Sequence, residues 1–97
     1  MRYIDVEWIH DFQDEPVRLI SEIDHENYEL RKLEIYRDGS VGFATDNIEH
    51  GGSRLGVSEI PPVEEINSDP EFKGREIDKH EFDVLWNQFT SGNLESI

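Results

Sequence analysis

Apolar residues recur along this chain with two distinct periods. In the first segment Ile4, Val6 and Trp8 alternate with Asp5 and Glu7, the period of two that sends successive strand side chains to opposite faces. Tyr3 and Ile9 then share the face of the two carboxylates. The polar stretch 10–15 ends at Pro16 and reads as a turn. A second strand follows over 16–23, rich in Val17, Leu19, Ile20 and Ile23, although Ile20 breaks strict alternation and leaves the register open. After a polar connection at 24–27, the longest alternating run extends over 28–37. Asp38-Gly39 supplies the strongest hairpin signal, because glycine tolerates the positive φ that tight hairpin turns require. The return strand covers 41–45, and Gly42 in its middle implies a bulge or a close approach by another segment.

The period then changes. Residues 46–56 hold three glycines with Asn47, His50 and Ser53 and read as a loop. Pro61-Pro62 introduces a short helix over 63–67, with Glu64 and Glu65 well placed near its N-terminus, and Ser68-Asp69-Pro70 stops it. Asp78 and Glu81 have capping-box spacing, and Phe82, Leu85, Trp86 and Phe89 follow at i, i+3, i+4 and i+7. This predicts a helix over 79–89, with Gly92 as a natural end and 94–97 frayed. The expected fold is α+β: an antiparallel sheet of about four strands, one face covered by the C-terminal amphipathic helix. The chain reads as a single domain, 1–97, without repeat or linker.

Composition narrows the function classes. Twenty-three acidic residues stand against nine lysines and arginines, a formal charge of −14. The excess is spread evenly, with 13 acids and 5 bases in residues 1–50 and 10 and 4 in the remainder. High charge with low hydropathy is also the signature of disorder, but the periodic apolar runs argue for a fold. A surface this acidic repels nucleic acid and attracts basic proteins. With no cysteine, thiol nucleophiles, thiolate metal sites and disulfides are excluded. No apolar run approaches the roughly 20 residues of a membrane helix, and the N-terminus shows no signal-peptide core, so a cytoplasmic location is expected.

Candidate chemistry is sparse. His10 and Asp11 with Asp14 and Glu15 form a loop cluster that suits a divalent metal or acid–base work, but it matches no calcium-loop pattern. The four histidines are scattered, without zinc spacing. Gly51-Gly52-Ser53 is neither a nucleophile elbow nor a phosphate loop, and the overall charge disfavours a phosphate. Trp8, Tyr28, Tyr36 and Trp86 lack the basic interleaving of a nucleic-acid surface.

The segments Tyr3-Ile4-Asp5-Val6-Glu7-Trp8-Ile9-His10, Asp14-Glu15-Pro16, Ser21-Glu22-Ile23-Asp24 and Glu29-Leu30-Arg31-Lys32-Leu33-Glu34 carry a resemblance. With Asp38-Gly39, Asp69-Pro70-Glu71-Phe72, Phe82 and Trp86, they resemble a family of small, acidic, uncharacterised bacterial proteins. In size, charge and architecture the chain is also similar to immunity proteins of toxin–immunity systems. These readings together predict a non-enzymatic binder of a basic protein, most concretely an inhibitor occluding a nuclease toxin. No cofactor or metal is expected, and nucleic acid and membrane are not expected partners. The predicted contacts are Asp11, Asp14, Glu15, Glu22, Asp24 and Glu26. The alternatives are a small metal-dependent enzyme using the His10 to Glu15 cluster, or a housekeeping adaptor docking through a sheet edge.

Overall fold

The computed structural model describes residues 1–94; of the fraying expected over 94–97, residues 95–97 lie outside the described residues. Six strands form one antiparallel sheet: β1 (Arg2–Trp8), β2 (Pro16–Ile23), β3 (Glu29–Tyr36), β4 (Val41–Ala44), β5 (Glu49–His50) and β6 (Phe72–Ile77). A short helix α1 (Val63–Ile66) precedes β6, and the long helix α2 (Lys79–Leu94) follows it. The spatial order is β5-β4-β3-β2-β1-β6. The first five strands thus form a meander, and the chain returns to place β6 beside β1. The α+β class stands, with six strands where the sequence pattern showed about four.

The two extra strands lie where apolar alternation is missing. β6 reads Phe-Lys-Gly-Arg-Glu-Ile, which puts Lys73 and Arg75 on one face and Gly74 and Glu76 on the other. It is a strand by pairing with β1 over six residue pairs rather than by its own pattern. β5 is two residues long and lies inside the segment that reads as a loop. α2 runs past Gly92 to Leu94, since one interior glycine costs only about 1 kcal/mol against alanine.

Both sheet faces are covered. α2 lays Phe82, Leu85, Trp86 and Phe89 against Tyr3, Ile20, Leu33, Phe43 and Ile77. On the opposite face Ile4, Val6 and Ile23 pack with Phe72 of β6 under Ile60, Val63 and Ile66, a strap contributed by the chain between β5 and β6. This explains β2: Ile20 serves the helix face while Leu19 and Ile23 serve the strap face. It also explains why four consecutive residues of β1, Tyr3 to Val6, are all buried. The helix therefore lies on the face of Tyr3 and Asp5, not on that of Ile4 and Val6.

Turn chemistry follows the sequence. Gly39 has φ +89° and its N–H donates to the Tyr36 carbonyl at 3.0 Å. Asn27 takes φ +73° in the β2–β3 turn, a conformation asparagine tolerates better than most residues. Gly42 marks a close approach: a Cβ there would lie 3.1 Å from the Ser53 Cβ and 3.2 Å from two carbonyl oxygens. At the start of α2 the Asp78 Oδ1 accepts the Glu81 N–H at 2.7 Å. The Glu81 carboxylate turns instead to Arg75, at 2.8 Å.

Candidate partner-binding surface

Hairpin connectivity decides how the predicted contacts are grouped. Asp11, Asp14 and Glu15 are exposed in the β1–β2 loop. Asp24 and Glu26 lie in the β2–β3 turn, at the other end of β2. An eight-residue strand spans roughly 26 Å at about 3.3 Å per residue, so the two groups lie at opposite ends of the sheet. Asp24 is also engaged locally, its Oδ1 accepting the N–H of Glu26 at 2.8 Å and of Tyr28 at 3.0 Å.

Glu22 holds the helix to the sheet. Arg31 donates to both of its oxygens, at 2.8 and 3.2 Å, and to Asp83 of α2 at 3.1 Å. The same guanidinium lies over the rings of Phe82 and Trp86, 4.7 and 5.1 Å from their centroids. Lys79 completes the group with Asp83 at 2.7 Å. Its hydrogen bond, and then that of Arg31, holds the Asp83 carboxyl below the usual carboxylate range.

In the His10 to Glu15 cluster the imidazole is a loop staple. His10 Nε2 is 2.7 Å from the Pro16 carbonyl oxygen, and Nδ1 accepts the Phe12 N–H at 3.0 Å. Among the described residues no group of three or more His, Asp or Glu side chains is placed to hold a metal ion.

The ion pairs of the described residues use five carboxylates: Asp5, Glu22, Glu29, Glu81 and Asp83. Their partners, Arg18, Arg31, Lys32, Arg75 and Lys79, are five of the nine cations of the chain, so most of the acidity stays uncompensated. One long stretch of it is the strap. Residues 55–72 contain no lysine or arginine, and Glu59, Glu64, Glu65, Asp69 and Glu71 are all exposed. That absence of bases is legible in the sequence, but only the fold shows that two of these acids, Glu65 and Asp69, line an apolar cleft.

The cleft, about 400 Å³, lies on the strap face between the sheet and α1. Ile4, Val6, Leu19, Ile60, Ile66 and Phe72 form its apolar lining, and Glu29, Glu65, Asp69 and Lys32 its charged part. Glu29 is buried and saturated: it takes hydrogen bonds from Ser21 Oγ at 3.2 Å and Gly56 N–H at 2.6 Å, and pairs with Lys32 at 3.0 Å. Glu65 and Asp69 have no cationic partner among the described residues.

The sheet edges are guarded. Along the outer edge of β6 the Phe72 N–H donates to the Asp69 carbonyl at 3.0 Å. The Asn67 side chain then imitates a neighbouring strand at Gly74, accepting its N–H at 2.6 Å and donating to its carbonyl at 3.0 Å. The opposite edge is the two-residue β5. Strand addition, the docking mode of the adaptor alternative, meets one plugged edge and one very short one.

No described helix is long and apolar enough to cross a membrane. The model of a domain of unknown function, DUF6881, matches residues 2–91, and the chain belongs to that family. This agrees with the resemblance to an uncharacterised family. No curated protein and no solved structure matches the chain.

Proposed function

We propose that this protein is a non-enzymatic acidic module that captures a basic protein. In its most concrete form it is an immunity-type inhibitor that covers the active site of a nuclease toxin in the cytoplasm. The observation that carries this reading is the strap: five exposed carboxylates without a cationic partner among the described residues, two of which, Glu65 and Asp69, line an apolar cleft. Nuclease sites gather lysine and arginine to hold phosphates, and such side chains have an apolar stem behind a charged head. A stem laid on Ile60, Ile66 and Phe72 would bring its head to Glu65 and Asp69. Burial of the stem supplies contact energy, while the surrounding charge supplies steering. The end loops, with Asp11, Asp14, Glu15 and Glu26, widen the negative field without sharing that cleft.

The test has two steps. Affinity capture from the source lysate at low and high salt identifies a basic partner, and its nuclease activity is then assayed with and without this protein. Stopped-flow association is compared for the native chain, an E64K/E65K/D69K variant and a D11K/D14K/E15K variant. Electrostatic steering is worth roughly 10 to 10³-fold in rate, so reversal of the strap should slow capture at least tenfold and the loop variant should slow it less. Association indifferent to salt, or a partner whose activity is untouched by complex formation, sinks the proposal.

A further inference from the structure

The overall charge of −14 disfavours an anion, yet one corner of the molecule reverses the sign. On the helix face, register places Lys73, Glu7, Arg18 and Ile35 side by side across β6, β1, β2 and β3. Beside this row opens a cleft of about 810 Å³, lined by Arg18, Arg37, Lys73 and Arg75 against the carboxylates Asp5 and Glu7. Four of the nine cations of the chain thus meet in one place, and no residue of α2 is among those lining it.

The arginines are pre-positioned. Asp5 is 7% exposed and both of its oxygens are taken. Arg18 donates Nε to Oδ1 at 2.9 Å and Nη2 to Oδ2 at 2.7 Å, and Arg75 donates Nη2 to Oδ2 at 3.0 Å. One buried carboxylate therefore fixes two guanidiniums, and Arg75 also donates Nη2 to Glu81 of α2 at 2.8 Å. Arg18 Nη1 and the Nη1 and Nε of Arg75 have no hydrogen-bond partner among the described residues. Arg37 is held at the rim by donating Nη2 to the His10 carbonyl, at 2.7 Å. Lys73 has neither an ion pair nor a hydrogen bond among the described residues. Structural pairing accounts for Asp5, Arg18 and Arg75, whereas Arg37 meets only a backbone carbonyl and the Lys73 side chain, across from Glu7, has no ion pair among the described residues.

We infer that this cleft binds a phosphate monoester or free phosphate, held by Lys73 and the unspent N–H groups of Arg18 and Arg75, with Arg37 at the rim. Four cations against Asp5, Glu7 and the Glu81 that also pairs with Arg75 leave the corner net positive, and guanidinium forks suit the several oxygens of a phosphate. Most of the uncompensated acids lie on the strap and the end loops. Asp11 follows the cleft-lining His10 directly and opposes an anion there, while charges farther than about 8 Å are screened at physiological ionic strength. The inference is independent of the acidic strap and of any basic partner.

Amide NMR titration of the whole chain tests it, using inorganic phosphate and O-phosphoserine as probes and sodium chloride at matched ionic strength as control. Both phosphate probes should move amides of residues 7–9, 17–18 and 73–75, and the chloride control should not. Lys73→Gln removes a charge without a structural partner. It should leave the melting temperature unchanged and weaken phosphate binding about tenfold, equivalent to about 1.4 kcal/mol. Tighter binding of inorganic phosphate would point to a free anion, and tighter binding of phosphoserine to a phosphorylated partner. Shifts reproduced by chloride, or a Lys73→Gln chain that binds as the native one does, overturn the inference.

Discussion

Two buried polar side chains behave oppositely under substitution, and the difference lies in their partners. Ser53 is 2% exposed and its Oγ has no hydrogen bond, while its Cβ packs against Gly42. A buried hydroxyl without a partner costs stability by its desolvation, so Ser53→Ala should be neutral or stabilise by up to about 1 kcal/mol. Glu29 ties β2, β3 and the Gly56 segment together through three partners. Glu29→Ala strips Lys32 of its counter-charge in a partly buried place and should cost about 3 kcal/mol. Urea unfolding of the two variants checks both signs, and a Ser53→Ala loss as large as that of Glu29→Ala would show that the hydroxyl is satisfied in solution. Neither role is visible in the sequence, where Glu29 is one acid among many and Ser53 sits in a glycine-rich loop. Asp5 is the sharper case. Alternation places it opposite Ile4 and Val6, which reads as solvent, whereas Arg18 and Arg75 enclose it beneath the helix face.

At the scale of elements, legibility follows how far a segment's own pattern determines it. The face of α2 is plain because Phe82, Leu85, Trp86 and Phe89 keep helical spacing and all pack against the sheet. The Asp38-Gly39 turn is plain because its chemistry is local. β6 is hidden because it is an edge strand beside a charged corner, with lysine, arginine and glutamate where apolar residues would mark a face. The grouping of Asp11, Asp14 and Glu15 apart from Asp24 and Glu26 is legible too, because the strand predicted over 16–23 separates the two connections and puts them at opposite ends. β6 also yields a prediction. Asn67 closes its outer edge at Gly74, so Asn67→Ala removes two hydrogen bonds worth about 1 kcal/mol each and leaves an edge open to pairing. The variant should melt earlier and show concentration-dependent association in sedimentation velocity, whereas the native chain should not gain mass over the same range. A variant that is destabilised yet remains monomeric would limit Asn67 to local packing.

For the whole molecule, two electrostatic effects of opposite sign compete. The Glu22, Arg31, Asp83 and Lys79 group stabilises the docked helix and weakens with added salt. The uncompensated carboxylates repel one another in the compact state, and that repulsion also fades with salt. Because the ion pairs occupy five acids of 23, repulsion should dominate, and the melting temperature should rise as sodium chloride goes from low ionic strength to about 0.15 M, where screening acts over about 8 Å. The pH limits follow from linkage. Asp83, bonded to Lys79 and Arg31, and Asp38, bonded to Ser40, have folded pKa values below the ordinary carboxylate value. Their contribution is present above the unfolded pKa and is lost as pH falls through the folded one, an acid limb at and below the usual carboxylate range. Burial, reinforced by Glu22 for Tyr3 and by Glu34 for Tyr36, raises both phenols. Their contribution holds below the usual tyrosine range and is lost as pH rises through the folded values. Calorimetry across pH and salt should therefore give a broad plateau that salt lifts, with Asp83→Asn blunting the acid limb and Tyr3→Phe the alkaline one. A plateau that salt lowers would mean that the few ion pairs outweigh the repulsion, and the acidity would then be held in check by structure rather than left free to meet a basic partner.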